Sequence, residues 1–470
     1  MGSSGLGLPP GFDSGVGMAR SVSAVQMAVG DTLTVKNSVQ SDLSVNCAST
    51  ETITAVVRSM GEHFIIVEDT TVAGHFTEAD FTSLTTEYDQ HVYPVDVAYF
   101  GAPADLDGNG RVIVVFTAVV NRLAVRGSGT FIAGYFNPSD IGDSCAASNE
   151  GEYLYLLAPD PAGEYSDPKA VAFVRQNSKG VVAHELQHLI EAEQRIIVNG
   201  GSLFFDLEDA WLNEGMAHVA ETAVGLSRAG LGTRQNLSFA ALTADWETFE
   251  AYHLTDFNRL GHNFKDPDGT LALGGTFGSD PPGISSLEMR GFAWNFLRWL
   301  GDHYAPASPV GPVPGSGEDR LFRELTVGGP QFAKGPDNIL RALEVVSGHS
   351  TTWDRLIAEY GFAPVLDDNG PAALPSTTQM RTWNLRDIYS GLHDMYPDKS
   401  PFTSEFPLVV TRVQLSASTD QITDFSLAAG AAHYAELVSA VAHPEIMVEV
   451  STQGGTGVPD YVQVLVARRR

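Results

Sequence analysis

The sequence predicts an α+β fold, with a small mixed sheet and several helices, joined to a C-terminal β-sandwich-like domain. Residues 112–119 form an apolar run rich in β-branched side chains, which is typical of a buried strand. Residues 180–198 and 209–228 carry apolar side chains at helical spacing instead. Residues 406–466 alternate apolar and polar side chains between Gly-rich turns, which indicates further strands. The chain has 470 residues, of which 43% are hydrophobic, so it is long enough for more than one domain.

Shifts in composition predict the domain organisation. Residues 1–20 are rich in Gly and Ser and lack apolar periodicity, so they are predicted to be flexible. Residues 24–67 alternate like short strands, and residues 362–378 turn to Pro, Asp and Ala, which indicates a boundary. The predicted parts are a flexible N-terminal segment, a β-rich N-terminal extension, a main α+β domain, a linker and a C-terminal β domain, with the bounds 1–20, 21–72, 73–361, 362–400 and 401–470.

The main domain is predicted to open with a helix over residues 77–92. Phe81, Leu84 and Tyr88 recur at the spacing of an amphipathic helix, and Thr77 is suited to cap its start. Strands are then predicted from apolar and alternating aromatic runs, at residues 112–119, 131–136 and 153–157. The helices at 180–198 and 209–228 follow them.

The charge balance narrows the choice of partners. The chain has 28 Lys and Arg residues against 57 Asp and Glu residues, a net charge of −29, whereas a nucleic-acid surface needs clustered cations. No apolar run reaches the roughly 18 residues that predict a membrane-spanning helix. We therefore expect neither a nucleic-acid partner nor a membrane span, and the sequence leaves the oligomeric state open.

The chain contains two cysteines, Cys47 and Cys145. A disulfide between them would close a loop of about 100 residues and contribute on the order of 4 to 5 kcal/mol in the chain-entropy model. Two separate buried thiols are the alternative, and the sequence does not decide between the two states.

The strongest chemical signal is the run His184-Glu185-Leu186-Gln187-His188 inside the first predicted helix of that pair. Histidines at i and i+4 lie one turn apart on the same helix face, so both rings can bind one metal ion. Imidazole nitrogen is a preferred ligand of zinc, and Glu185 lies beside the pair without having to be a ligand. The same run also arises by chance, so a third ligand is the informative observation.

A catalytic zinc site needs a third protein ligand and an open position for water. Leu189, Ile190 and Glu191 follow the run directly, which excludes the pattern that supplies a third His from the same segment. Residues 211–217 read Trp-Leu-Asn-Glu-Gly-Met-Ala on the second helix, where Glu214 would complete a site of two His and one Glu. Alternatively, Glu214 is a solvated residue on a helix surface.

The two segments together resemble the gluzincin peptidases, in which His-Glu-x-x-His is followed by Asn-Glu-Gly on the next helix. The 25 residues 189–213 separate the segments, more than in the aminopeptidases of that group, so an exopeptidase is the weaker match. The order of the 105–110 turn, Ala-Gly-Tyr-Phe at 133–136 and the His-Glu-Leu-Gln-His run is most similar to the hyicolysin-like family of secreted neutral metallopeptidases. That resemblance covers roughly residues 73–360.

The resemblance implies a zincin-like catalytic domain with an active-site helix, a secreted or extracellular location, and cleavage of internal peptide bonds in protein or peptide substrates. It implies that His184, His188 and Glu214 hold Zn²⁺ and that Glu185 is the general base. The alternative function is a secreted or surface binding protein whose zincin-like domain is not catalytic.

Peptides bind to zincins as an added strand at a sheet edge, so residues 131–136 or 153–157 are expected to bind substrate. His218, one turn after Glu214, is a candidate partner for a zinc ligand. The residue that stabilises the oxyanion stays open, because residues 288–291 have Glu where related enzymes have Tyr. The alternatives are Tyr252, His253, His262, His303 and Tyr304.

Residues 105–110 read Asp-Leu-Asp-Gly-Asn-Gly and resemble the start of a calcium-binding loop, with Asp105, Asp107 and Asn109 as candidate ligands. Position twelve of such a loop is Phe116 here, so a bidentate carboxylate would have to come from another segment. A tight turn before a strand is the alternative.

Overall fold

The computed structural model describes residues 27–41, 44–48, 51–203, 205–267, 286–306, 317–368, 375–415, 423–427, 431–439, 448–452 and 462–467. The segment predicted to be flexible, residues 1–20, lies outside the described residues. Among the described residues, no helix has both the length and the apolarity needed to cross a bilayer.

Contacts divide the chain into two compact units. The first comprises Met1–Thr233, Leu242–Asp256 and Tyr304–His349, and the second comprises Arg234–Ala241, Phe257–His303 and Ser350–Arg470. The His-Glu-Leu-Gln-His run and Glu214 both fall in the first unit. The domain bounds at residues 72 and 361 stay predictions, and the sheet of the first unit runs across the first of them.

The first unit contains a mixed sheet of six strands, which are β1 (Thr32–Asn37), β2 (Glu51–Met60), β3 (Phe64–Asp69), β4 (Val112–Thr117), β5 (Gly134–Phe136) and β6 (Tyr153–Leu157). Their order is β1-β2-β3-β4-β6-β5. The first three pair antiparallel, β4 lies parallel between β3 and β6, and β5 pairs antiparallel with β6. Every residue of β3, β4 and β6 is buried, so both faces of this part of the sheet are covered.

The helices are α1 (Glu78–Glu87), α2 (Tyr93–Phe100), α3 (Ala118–Arg122), α4 (Val171–Glu193), α5 (Ala210–Arg228), α6 (Phe239–Leu242), α7 (Trp246–Tyr252), α8 (Leu254–Lys265), α9 (Ser286–Tyr304), α10 (Glu318–Val327), α11 (Gly335–Ser347), α12 (Trp353–Leu366) and α13 (Leu385–Met395). Helices α1 to α5, α7, α10 and α11 lie in the first unit, and α12 and α13 lie in the second. The prediction of a mixed α+β fold is therefore confirmed.

The predicted helix over residues 77–92 is present as α1 followed by a π-helical turn, Tyr88–Val92. Thr77 caps it, since its hydroxyl accepts a hydrogen bond from the Asp80 N–H while the Asp80 carboxylate accepts one from Thr77 N–H. This reciprocal pair gives the backbone N–H groups of Thr77 and Asp80 hydrogen-bond acceptors at the helix start. It therefore explains why the helix begins there.

Helix α4 begins nine residues earlier than residue 180, where the periodicity predicted its start. Its first turns carry partly exposed polar residues such as Gln176 and Asn177, which weaken the apolar signal. Gly180 lies inside the helix, where a Cβ atom would come within 2.3 Å of the Ala251 carbonyl oxygen on α7. The glycine that looked like a helix start therefore permits close packing of α7 against α4.

Cys47 and Cys145 form a disulfide in the first unit, with their Cα atoms 4.9 Å apart. Both cysteines lie in irregular segments, one between β1 and β2 and the other between β5 and β6. The bond links two connections that are 98 residues apart in sequence. The state of two separate thiols is thereby excluded.

The second unit contains a two-stranded parallel sheet formed by β7 (Thr411–Leu415) and β8 (Ala435–Ser439). The described residues of 401–470 do not confirm a β-sandwich-like domain, which stays a prediction. The span predicted as a linker contains α13, whose Leu385, Ile388 and Leu392 are buried. Its apolar spacing, rather than the composition around it, determines this local structure.

Candidate metal centre

His184 and His188 lie on the same face of α4, because residues four apart in a helix are one turn apart. Their ring centroids are 4.8 Å apart and the rings are nearly perpendicular. His184 is 1% exposed and His188 is 5% exposed. Two buried imidazoles so close together are unusual unless something between them stabilises the arrangement.

Glu214 lies on α5, which packs against α4. Its Oε2 atom is 3.3 Å from His184 Nε2 and 3.9 Å from His188 Nε2. The carboxylate is buried, with 1% of the residue exposed, so Glu214 is not a solvated residue on a helix surface. The three side chains form a group whose candidate ligand atoms all lie within 4.8 Å of one another.

The other ring nitrogen of each histidine is held by a hydrogen-bond acceptor. His184 Nδ1 is 2.7 Å from Glu221 Oε1, and His188 Nδ1 is 2.9 Å from Asn213 Oδ1. A carboxylate can only accept a hydrogen bond, and an amide oxygen likewise accepts, so each Nδ1 is assigned the proton. Each Nε2 then presents a lone pair to the space beside Glu214, the arrangement typical of metal-binding histidines.

Glu221 is shared between two histidines. Its Oε1 atom lies 2.8 Å from His218 Nδ1 as well as 2.7 Å from His184 Nδ1. His218 is fully buried, and its Nδ1 is also 3.0 Å from Asp256 Oδ1 at the start of α8. His218 therefore reaches the metal group through Glu221, and its supporting role stays a proposal.

The electrostatic field of the group favours positive charge. Burial alone would lower the pKa of His184, but contacts with Glu214 and Glu221 and the charge of Glu185 raise that pKa to about 9. Three carboxylates thus surround two imidazoles in a site removed from water. A divalent cation placed among them gains strongly from this field, since charges interact more strongly inside a protein than in water.

Glu185 is buried next to the histidines and is held by the edge of the sheet. Its Oε2 atom accepts a hydrogen bond of 2.9 Å from the N–H of Phe136, the last residue of β5. Strand β5 is at the end of the strand order, whereas β6 is paired on one side with β4 and on the other with β5. The expectation that residues 153–157 bind substrate by edge pairing is therefore wrong, and β5 is the remaining candidate.

The donor set fits zinc. A tetrahedral zinc ion with bonds of about 2.0 to 2.2 Å places its ligand atoms roughly 3.3 to 3.6 Å apart. The separation of 3.3 Å between His184 Nε2 and Glu214 Oε2 falls in this range, and the 3.9 Å separation from His188 needs only a small adjustment. The group of His184, His188 and Glu214 is thus compatible with a zinc site of two nitrogens and one carboxylate.

A comparison with known proteins agrees with this chemistry. A stretch of 150 residues is 27% identical to the neutral metalloprotease ShpI of Staphylococcus hyicus. The match covers 31% of this chain and 31% of that protein's length. No protein-family model matches the chain. The likeness supports a distant relationship to a metalloprotease and hence to a hydrolase.

The candidates for the oxyanion-stabilising residue are divided between the two units. Tyr252 is buried, and its hydroxyl donates to Glu87 at 2.8 Å. Burial lowers the pKa of His253 to about 3, and the ring of Tyr304 is tilted by 45° against that of His349, with centroids 4.6 Å apart. The remaining candidates belong to the second unit, namely His262, His303 and residues 288–291. The structure assigns this role to none of them.

The sequence did not single out two side chains that hold the histidines. Glu221 is seven residues after Glu214, so helical spacing places both on one face of α5, and this signal could have identified it. Asn213 directly precedes Glu214 in the Asn-Glu-Gly run, which was used only as a family signature. Asp256, which contacts His218, lies on another helix, α8, and no local sequence pattern points to it.

The candidate calcium ligands lie in the loop before β4. Asp105 and Asp107 come together with Glu152, which directly precedes β6, and the three form a second group with oxygens within 4.8 Å of one another. The Asn109 side chain forms hydrogen bonds within its own loop. Its Oδ1 accepts from the Arg111 N–H, and its Nδ2 donates to Asp107. The tight turn that was the alternative to a calcium loop is thus present, together with a carboxylate from another segment.

Proposed function

We propose that this protein is a secreted zinc endopeptidase of the gluzincin type. His184, His188 and Glu214 would hold the metal, and Glu185 would act as the general base. The observation that carries this proposal is the convergence of two Nε2 atoms and one carboxylate oxygen beside a buried glutamate. Three protein ligands leave a position for water, whereas structural zinc sites normally have four protein ligands.

Zinc bound there would act as a Lewis acid and lower the pKa of a bound water to about 7. Glu185 is placed to accept the proton of the attacking water and to deliver it to the departing amide nitrogen. The hydrogen bond from Phe136 N–H fixes the direction of the Glu185 carboxylate. Glu221 and Asn213 fix the two imidazoles in the orientation and tautomer that metal binding requires.

Strand β5 is the proposed site for the substrate backbone. It lies at the end of the strand order, and Phe136 of this strand contacts the proposed general base. A peptide that adds to this strand by β-augmentation would bring its backbone close to Glu185. The disulfide between Cys47 and Cys145 supports an oxidising compartment and therefore secretion.

The proposal is tested with casein and the zinc-loaded protein, before and after chelation, beside Glu185→Gln. We expect this variant to keep one zinc ion per chain and to lose activity by about 10²- to 10⁴-fold, because only proton transfer is removed. Glu250→Gln, an exposed residue on α7, is the matched control and should keep full activity. Equal activity in wild type and Glu185→Gln would discard the mechanism.

Peptides blocked at both ends separate an endopeptidase from an exopeptidase. Internal cleavage, read by mass spectrometry, is the expected result. A zinc-loaded protein that cleaves neither casein nor these peptides would favour the alternative, a binding protein with a zincin-like domain that is not catalytic.

A further inference from the structure

A second group of carboxylates in the first unit shares no residue with the proposed zinc ligands. It is formed by Asp105, Asp107 and Glu152, whose oxygens lie within 4.8 Å of one another. Glu193, the last residue of α4, lies beside this group, because its Oε2 accepts from the Ala104 N–H next to Asp105 and its carboxyl group is in hydrogen-bond contact with that of Glu152. Four acidic side chains from three separate segments therefore meet here.

The backbone of residues 104–110 holds three of these carboxylates by one oxygen each. The Leu106 N–H donates to Glu152 Oε1 at 2.5 Å, and the Ala104 N–H donates to Glu193 Oε2 at 2.6 Å. The Gly110 N–H donates to Asp105 Oδ1 at 2.8 Å. The loop thus fixes the direction of each carboxylate and leaves its second oxygen for another partner.

Two of those second oxygens are buried and receive no hydrogen bond from a donor outside the acidic group. Glu152 is 1% exposed and Glu193 is fully buried, and their carboxyl groups contact each other, while no backbone or basic donor reaches Glu152 Oε2 or Glu193 Oε1. In the described part of the chain, no Lys, Arg or His forms an ion pair with any of the four residues. Buried carboxylate oxygens are costly unless a cation or a proton compensates them.

The chemistry of the group favours a hard cation. All of its donors are oxygens, which calcium prefers, whereas zinc prefers nitrogen and sulfur. Asp105 and Asp107 stand at the first and third positions of a calcium-loop sequence that lacks its twelfth-position carboxylate. Glu152 supplies a carboxylate from another segment at the place where one is missing. Glu193 faces Glu152 and adds a further oxygen that no loop sequence would show.

We propose that Asp105, Asp107, Glu152 and Glu193 bind one calcium ion, which joins the 105–110 loop to the C-terminal end of α4. Helix α4 also carries His184 and His188, and Glu193 follows His188 by five residues, or about 7.5 Å of helix. Calcium bound here would therefore fix the end of the helix that bears the proposed zinc ligands.

Calorimetric titration of the calcium-depleted, zinc-loaded full chain with CaCl₂ tests the proposal directly. We expect one calcium ion per chain with a Kd below about 1 mM. Asp107→Asn should weaken this binding by about tenfold or more, whereas Asp143→Asn, an exposed residue outside the group, should leave it unchanged. Equal binding by wild type and Asp107→Asn would overturn the assignment.

Thermal unfolding of Glu152→Gln distinguishes a cation site from a structural carboxylate. Without calcium, the Tm of the variant should equal or exceed that of wild type, because a buried carboxyl group crowded by other acidic groups is removed. In calcium at about 100 times its Kd, wild type should gain roughly 5 °C or more and the variant should gain little, so the order reverses.

A variant Tm that is lower by the same amount in both conditions would overturn the proposal, because it would show that the Glu152 carboxyl group stabilises the fold without calcium. No heat and no Tm change for wild type in calcium would show that Glu152 and Glu193 share a proton instead. Zinc content and casein cleavage are measured separately, so failure of this proposal and failure of the proposed peptidase function are distinguishable.

Discussion

Glu221 determines how His184 can bind a metal, although it is not a ligand itself. Its Oε1 atom contacts Nδ1 of both His184 and His218, so one carboxylate orients two imidazoles. A negative acceptor on Nδ1 fixes the tautomer and makes Nε2 a better donor to a metal. The same contact holds the ring against rotation within the helix pair.

Replacement of this carboxylate should weaken zinc binding. We expect Glu221→Gln to lower zinc affinity by about 10- to 100-fold, because the amide is neutral and can present the wrong group to Nδ1. Competition with a chromophoric zinc chelator measures this change without any assay of activity. Glu250→Gln provides the control for the chemical substitution, and unchanged affinity in Glu221→Gln would show that Glu221 only fills space.

The residues of the candidate site were predictable to the extent that their signals are local. His184, Glu185 and His188 lie in one helical turn, and Glu214 is part of a short run on the next helix, so sequence spacing brought all four to attention. The Phe136 N–H and Asp256 have no such signal. Phe136 lies near the site because of the order of the strands, and Asp256 because the start of α8 packs nearby. Neither arrangement can be deduced from the local sequence pattern.

At the scale of elements, α4 and α5 are tied together by a buried ionic network. Arg195, in the π-helical turn after α4, is fully buried and forms ion pairs with Glu191 at 3.2 Å and with Glu208 at 2.6 Å. Glu208 lies just before α5 and also accepts a hydrogen bond of 2.6 Å from Gly335 N–H on α11. The network fixes the end of one helix against the start of the other.

Removal of the arginine should destabilise the protein strongly. We expect Arg195→Ala to lower the free energy of unfolding by about 3 to 5 kcal/mol, because two buried carboxylates lose their cation. Urea unfolding of the zinc-loaded protein measures the change. Arg355→Ala removes an arginine whose side chain is 71% exposed, and it should cost less than about 1 kcal/mol. Similar losses in both variants would contradict the role given to the network.

Elements with strong periodicity were predicted well, and their pairing was not. The helix over residues 77–92 and the buried strand at β4 follow from apolar spacing and capping residues. Residues 153–157 were one of two candidates for the sheet edge that binds substrate, on the analogy with zincins, and the sequence did not decide between them. Strand β6 lies between β4 and β5 because long connections bring these three strands together. The residues of a single strand do not predict which other strands it will pair with.

At the scale of the whole molecule, the acidic composition continues into the interior. The chain has 57 Asp and Glu residues, and several are buried in surroundings that disfavour their charge. Burial raises the pKa of Asp140 and of Asp367 to about 7. Each of these groups carries a proton in the folded chain at a pH where it would be ionised in the unfolded chain.

Such groups make stability depend on pH with a definite sign. A carboxyl whose pKa is raised by folding contributes its full stability below the unfolded value, near pH 4, and that contribution is lost as the pH rises to the folded value. For Asp140 the window runs from about pH 4 to pH 7. The loss is at most about 1.4 kcal/mol per pH unit for one group.

Asp140→Asn isolates this contribution. Asp140 accepts hydrogen bonds from the Tyr155 hydroxyl at 2.7 Å and from the Asn149 N–H at 2.9 Å, and an amide can keep one of these contacts while it removes the titration. Relative to wild type, the variant should become more stable as the pH rises from 5 to 7, by up to about 1.4 kcal/mol per pH unit. Urea unfolding at several pH values, with zinc saturating and calcium constant, measures the difference. The exposed Asp143→Asn should show no such trend, and a pH-independent difference for Asp140→Asn would mean that Asp140 is ionised in the folded protein throughout this range.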